Sequence, residues 1–136
     1  MKKYMDASLV YTILALAGGV FYREFTKFLA FEGTTALGFI HPHYLMLGTF
    51  FFLALVVFDK LFHVARRLGK VLVAYQIGLN LSVAMLLVRG VLQVLATPLS
   101  SAVDAAIAGI AGLGHIILGV SLVMVVLKIR SAVREA

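Results

Sequence analysis

The chain has 136 residues, of which 62% are apolar and 13% charged, with a mean hydropathy of +1.06. A water-soluble domain of this length has no room to bury so much apolar surface, so the composition excludes one and calls for lipid. The lack of cysteine excludes disulfides, iron–sulfur clusters and thiolate metal sites, and the net charge of +6 raises the question of nucleic acid, which the placement of the charges answers below.

Four apolar runs are long enough to cross a bilayer, at residues 7–23, 37–58, 71–96 and 102–127. Backbone groups in lipid must be satisfied within their own segment, so each run is expected to be an α-helix. The first follows Lys2 and Lys3 and contains Ala15-Leu16-Ala17, which has the outline of a signal peptide and its cleavage site. Apolar sequence continues through Val20, Phe21 and Tyr22, so an uncleaved first helix is expected. It ends in "FYREFTK", with Arg23, Glu24 and Lys27 at its rim.

The second run opens with "FIHPHYLMLG", two histidines around a proline. Residues two apart on a helix differ by about 200°, so His41 and His43 address different sides. Pro42 allows two readings. As a first-turn residue its missing N–H costs nothing, and His41 then caps the helix. If the helix starts near Thr35, Pro42 kinks it. The segment "DKLFHVARRLGK" follows as a loop, with His63 an ordinary interfacial histidine.

The third run carries Gln76, Asn80, Ser82, Arg89 and Gln93. Ser82, Arg89 and Gln93 share one face, and Asn80 lies about 180° from Arg89. A second polar face predicts that Asn80 and Gln76 meet another subunit, making the protein a homo-oligomer. The fourth run, "AAIAGIAGLGHIILG", surrounds His115 with small residues, which either let helices approach closely or leave room for a flat cofactor.

Lys2, Lys3, Lys60, Arg66, Arg67, Lys70, Lys128, Arg130 and Arg134 all fall on one side of a four-pass topology. The positive-inside rule puts that side, with both termini, in the cytoplasm. The charge is therefore a topology signal with some attraction for anionic lipid, and no nucleic-acid partner is needed. The expected fold is an all-α integral membrane protein: one four-transmembrane-helix bundle over residues 1–136, multi-pass in a bacterial cytoplasmic (inner) membrane.

Ionisable side chains within spans mark functional sites. His115 lies 13 residues above Lys128, roughly 20 Å. His43 lies 16 residues above Asp59, roughly 24 Å. Arg89 stands 19 residues above Lys70, roughly 28 Å. His43 and His115 thus differ in height by about one helical turn, with Arg89 above them and Arg23 near the same upper level. Histidine is a frequent axial ligand of haem iron, and acidic propionates need cations. The expected cofactor is a b-type haem held by His43 and His115, its propionates paired by Arg89 and Arg23. His41 either addresses a second haem in the oligomer or caps the helix. Copper on His41, His43, His115 and Met46 is the rival cofactor. The function expected is electron transfer with a redox partner, gas sensing or haem handling. A small transporter or channel lined by His43, Arg89 and His115 is one alternative, and a structural or assembly subunit another. No catalytic residues are assigned.

"GGVFYREFTKF", "GFIHPHYLMLGTFFFL", "GLNLSVAMLLVRGVLQVL" and "GIAGLGHIILGV" resemble the blocks of a bacterial family of short four-helix membrane proteins called domain of unknown function 2871. The resemblance covers nearly the whole chain and implies the fold, but no activity. More distantly, the His-x-His segment followed by Leu47-Gly48 resembles motifs of haem-copper oxidase subunit I and of NnrS-type haem proteins. In the oxidases the two histidines of such a pair address different haems, which by resemblance bears on His41 and His43. The further copper-ligand histidines of an oxidase are missing here.

Overall fold

The computed structural model describes residues 1–136 and is helical nearly throughout. Four helices are long and apolar enough to span a membrane: α1 Lys2–Phe28, α2 Ala36–Phe62, α3 Ala65–Val94 and α4 Ser101–Arg134. Each expected run lies within one of them, except that α3 stops at Val94, before the left-handed Ala96. The stretch read as a loop, residues 59–70, is mostly helix. Only His63 and Val64 separate α2 from α3. His63 takes a left-handed conformation (φ +50°), and Asp59 reaches past it to accept the Ala65 amide at 2.8 Å. An acceptor from the preceding helix thus caps α3, whose own cap residue, Val64, has no side chain able to do so.

α2 starts at Ala36, with Thr35 as its cap, and not at Pro42. Thr35 Oγ1 accepts from Leu37 N at 3.4 Å and donates to the Gly90 carbonyl of α3 at 2.9 Å. Gln93 Oε1 takes the Ala36 amide at 2.8 Å. These bonds to α3 hold the entry turn, so Pro42 lies inside the helix. Proline cannot donate and crowds the preceding turn. The winding adjusts around it, tight 3-10 turns over Ala36–Phe39, an α turn over Ile40–His43, then a π-helix over Tyr44–Phe50. Such wide turns loosen backbone pairing. Two carbonyls here receive side-chain hydroxyls instead: Ser8 of α1 donates to Thr49 O at 3.1 Å, and Tyr75 of α3 to Leu47 O at 2.7 Å. In lipid these bonds matter, because no water is at hand to replace them.

The core lies where α1, α2 and α3 meet. Tyr4, Tyr11, Phe52, Leu55, Leu68, Tyr75 and Leu79 are buried there, with the Phe51 and Tyr75 rings stacked 4.1 Å apart. Helices approach closely where one supplies glycine. A Cβ on Gly48 would stand 2.5 Å from the Tyr11 side chain, and one on Gly78 2.5 Å from the Leu118 backbone nitrogen. α4 packs along α3, with Gly114 against Ser82 and Gly78 against Leu118. α1 and α4 make no extended contact with each other. They flank the central α2–α3 pair on opposite sides.

Both termini and the α2–α3 connection lie at one end. There the Met1 ammonium stands 3.3 Å from Asp59 Oδ2, and Arg67 binds both carboxylate oxygens of Glu135. The nine basic residues named above therefore share this end. The Arg67 and Ser131 hydrogen bonds hold the Glu135 carboxyl at about 2, well below its ordinary 4.5. A depressed acid stabilises the folded ends at pH values above 4.5 and loses that contribution as pH falls through 2. The pair is exposed, so its effect on overall stability is small. An NMR titration of the Glu135 side chain should place its midpoint near 2, and Arg67→Ala should raise it towards the ordinary carboxylate range.

Candidate functional site

His43 and His115 meet across the groove between α2 and α4. Their ring centres lie 6.1 Å apart with planes at 88°. Each ring is anchored in its own helix one turn back: His43 Nδ1 bonds the Phe39 carbonyl and His115 Nδ1 the Ala111 carbonyl, both at 2.8 Å. A carbonyl only accepts, so each Nδ1 carries the proton and each Nε2 is left with its lone pair. The site thus presents two free imidazole nitrogens from different helices.

The surface beside them is open. Asp104, Ala108, Gly112, His115 and Gly119 recur at intervals of four, four, three and four along α4, which puts them on one flank. His115 itself is exposed. A Cβ added at Gly112 or Gly119 would meet nothing within 4 Å, unlike one at Gly114, which would press on Ser82 at 2.9 Å. Of the four glycines around His115, then, Gly114 serves helix packing, while Gly109, Gly112 and Gly119 face open space.

The other expected site residues are distributed differently. His41 neither caps α2 nor joins the pair. It turns to α1, where Nδ1 donates to the Ala15 carbonyl at 2.8 Å, over a face that Gly19 leaves bare. Met46 is 60% exposed, and no three histidine or acidic side chains are grouped as a metal would need. The His41, His43, His115 and Met46 set expected for copper is therefore not assembled. Arg89 bonds Asp104 at 3.1 Å. It lies seven residues above Ser82, roughly 10 Å, and Ser82 is level with Gly114 beside the pair. Arg23 pairs with its neighbour Glu24. Being on α1, it is on the far flank from His115 and does not converge with the pair.

Asn80 corrects another expectation. Its second polar face is used inside the chain: Nδ2 donates to Tyr11 Oη at 2.9 Å and to the Gln76 carbonyl at 2.8 Å, while Oδ1 accepts from Tyr44 Oη at 3.0 Å. Asn80 thus has partners within the chain, while its residue remains exposed. The partners Asp104, Tyr11 and Tyr44 escaped the sequence reading, because only the register between helices identifies them.

No curated protein and no solved structure matches the chain. A family model does, over residues 1–132. The blocks that carry the histidine pair, the central polar helix and the small-residue flank all fall within that match, and the chain belongs to the family described as Protein of unknown function (DUF2871).

Proposed function

We propose that the protein binds a b-type haem in the membrane through His43 and His115 and serves electron transfer, gas sensing or haem handling. The observation that carries this reading is the pair itself. Two imidazoles from different helices, each with Nε2 unspent, would hold the haem iron between them. The ring centres stand 6.1 Å apart. The Nδ1 bonds orient each ring and leave Nε2 as the ligating atom, the arrangement that metal-bound histidines use. The open flank at Gly112 and Gly119 gives a flat macrocycle a place to lie. Arg89 is the only lysine or arginine of α3 and α4 in the outer half of the bundle. It is the cation nearest in height for propionates, which would share it with Asp104. When bound, the haem would supply a one-electron couple at an iron held by the two imidazoles.

The same proposal extends to surroundings. The basic end faces the cytoplasm of a bacterium, with the bundle multi-pass in the inner membrane. A second copy covers the open α4 flank and shields the cofactor edge from lipid, and a redox partner meets the complex at the outer side. The test is an absorption spectrum of protein purified from haem-sufficient cells. The expected result is a Soret band, with haemin titrating to equimolar uptake when the protein is isolated partly empty. Colourless protein that takes up no haemin would overturn the reading.

A further inference from the structure

The direction in which His43 points depends on two opposed departures from α-helical winding in α2. Ala36–Phe39 is wound as a 3-10 helix and Tyr44–Phe50 as a π-helix. At about 3.0 residues per turn against 3.6, four 3-10 residues overwind the chain by roughly 80°. A π turn takes up one residue more than an α turn and underwinds the chain by about 100°. The two nearly cancel. Both ends of α2 therefore keep the register of a plain helix, and the turn between them, Ile40–His43, is rotated as a unit. The ends are the anchored parts: Thr35 and Ala36 bond α3 above, and Phe52 and Leu55 are buried in the core below. If the winding evened out between these anchors, His43 would turn by about one residue's angle, roughly 100°. Tyr44 would then take its place opposite α4.

One hydroxyl holds the wide turn where it is. The Phe51 amide bonds Met46 O, five residues back, and Gly48 O, three back. In an α-helix its acceptor would be Leu47 O, four back. That carbonyl instead receives the Tyr75 hydroxyl of α3 at 2.7 Å. Tyr75 is fully buried, with its ring stacked on Phe51. A carbonyl without a donor is costly in such surroundings, and water is not at hand to supply one. With Tyr75 donating, the Phe51 amide stays on Met46 and the wide turn stays below His43. π turns gather at functional sites, and this one adjoins His43.

We propose that Tyr75 is a positioning residue for His43: its bond to Leu47 O fixes the π turn, and the π turn aims the imidazole at His115. The ligand role of His43 rests on the haem reading, whereas its aim does not.

The chain has no cysteine, so introduced pairs are the only thiols. A short bis-methanethiosulfonate reagent is applied, in nanodiscs and without haem, to two pairs: His43→Cys with His115→Cys, and Tyr44→Cys with His115→Cys. With Tyr75 present, the 43–115 pair should crosslink faster. Tyr75→Phe keeps the stacked ring and removes the hydroxyl. It should raise the ratio of the 44–115 rate to the 43–115 rate about fivefold, the population shift that loss of one hydrogen bond gives. Mere loosening of the fold would change both rates alike. Deleting Met46, an exposed residue of the π stretch, takes out the extra residue itself. His43 should then still crosslink to position 115, and Tyr75→Phe should no longer change the ratio. An unchanged ratio on Tyr75→Phe in the chain that retains Met46 would overturn the proposal, as would loss of the 43–115 crosslink on deleting Met46. Protein that crosslinks as expected yet takes up no haemin would overturn the haem reading alone.

Discussion

Adding one methyl group at Gly78 should separate α4 from α3. The Cβ of Gly78→Ala would stand 2.5 Å from Leu118 N, 2.8 Å from Leu118 Cα and 3.1 Å from Gly114 O. All are backbone atoms of α4, and none can rotate away as a side-chain tip would. The helices must part or tilt, and overpacking of this kind costs about 1–3 kcal/mol or more. Membrane helices have little else to hold them, because lipid tails solvate an exposed leucine as well as a neighbouring helix does. The Leu118 and Val125 contacts on α3 would loosen with them. Gly112→Ala and Gly119→Ala are the matched controls, since a Cβ there meets nothing within 4 Å. Unfolding in mixed micelles should show a large loss of stability for Gly78→Ala and little change for the controls. Equal stability in all three would mean that α4 does not seat on α3 at this crossing.

The number and place of the spans were legible because lipid enforces a single rule on each, enough apolar residues and a closed backbone. Their ends were not: residues 59–70, read as a loop, are mostly helix. The shared end of both termini followed from Lys60, Arg66, Arg67 and Lys70 joining the basic residues of the chain ends. The histidine pair was legible too, since straight helices convert sequence distance into depth. His43 and His115, which counting put within about a turn, have ring centres 6.1 Å apart. Azimuth is harder to read than height. Asn80 does face away from Arg89, but the inference that this face is free assumed that α3 is peripheral. Tyr11 and Tyr44 bond Asn80 from α1 and α2, although the residue stays exposed. The start of α2 was undetermined for a related reason. Pro42 suits either a first turn or a kink, and the choice is made by Thr35 on Gly90 and Ala36 on Gln93, contacts 55 and 57 residues apart in sequence. Arg89 looked available for an anionic group because Asp104, 15 residues further on, becomes its neighbour only through the antiparallel packing of α3 and α4.

On the haem reading, removing either histidine should alter haem binding, and removing both should abolish it. His115 is exposed and His43 only partly buried, and each ring's one bond is to a carbonyl of its own helix. The substitutions therefore spare the core, and His115→Ala should fold as the parent does. With only one histidine left to hold the proposed haem, the Soret band should shift and weaken, with haem affinity falling about 10-fold or more. The double variant should be colourless. These results alone would also fit a small ion bridging the two imidazoles, and the flank of α4 separates the cases. Gly112→Leu and Gly119→Leu add bulk where nothing packs, so they leave the bundle and both Nε2 atoms in place. An ion between two nitrogens occupies no more space than the rings already leave. A macrocycle needs the surface on either side of His115. Haem uptake should therefore fail in the leucine variants while thermal stability stays that of the parent protein. Undiminished uptake in both would show that the cofactor does not lie along α4, and that the clear flank exists to receive another helix.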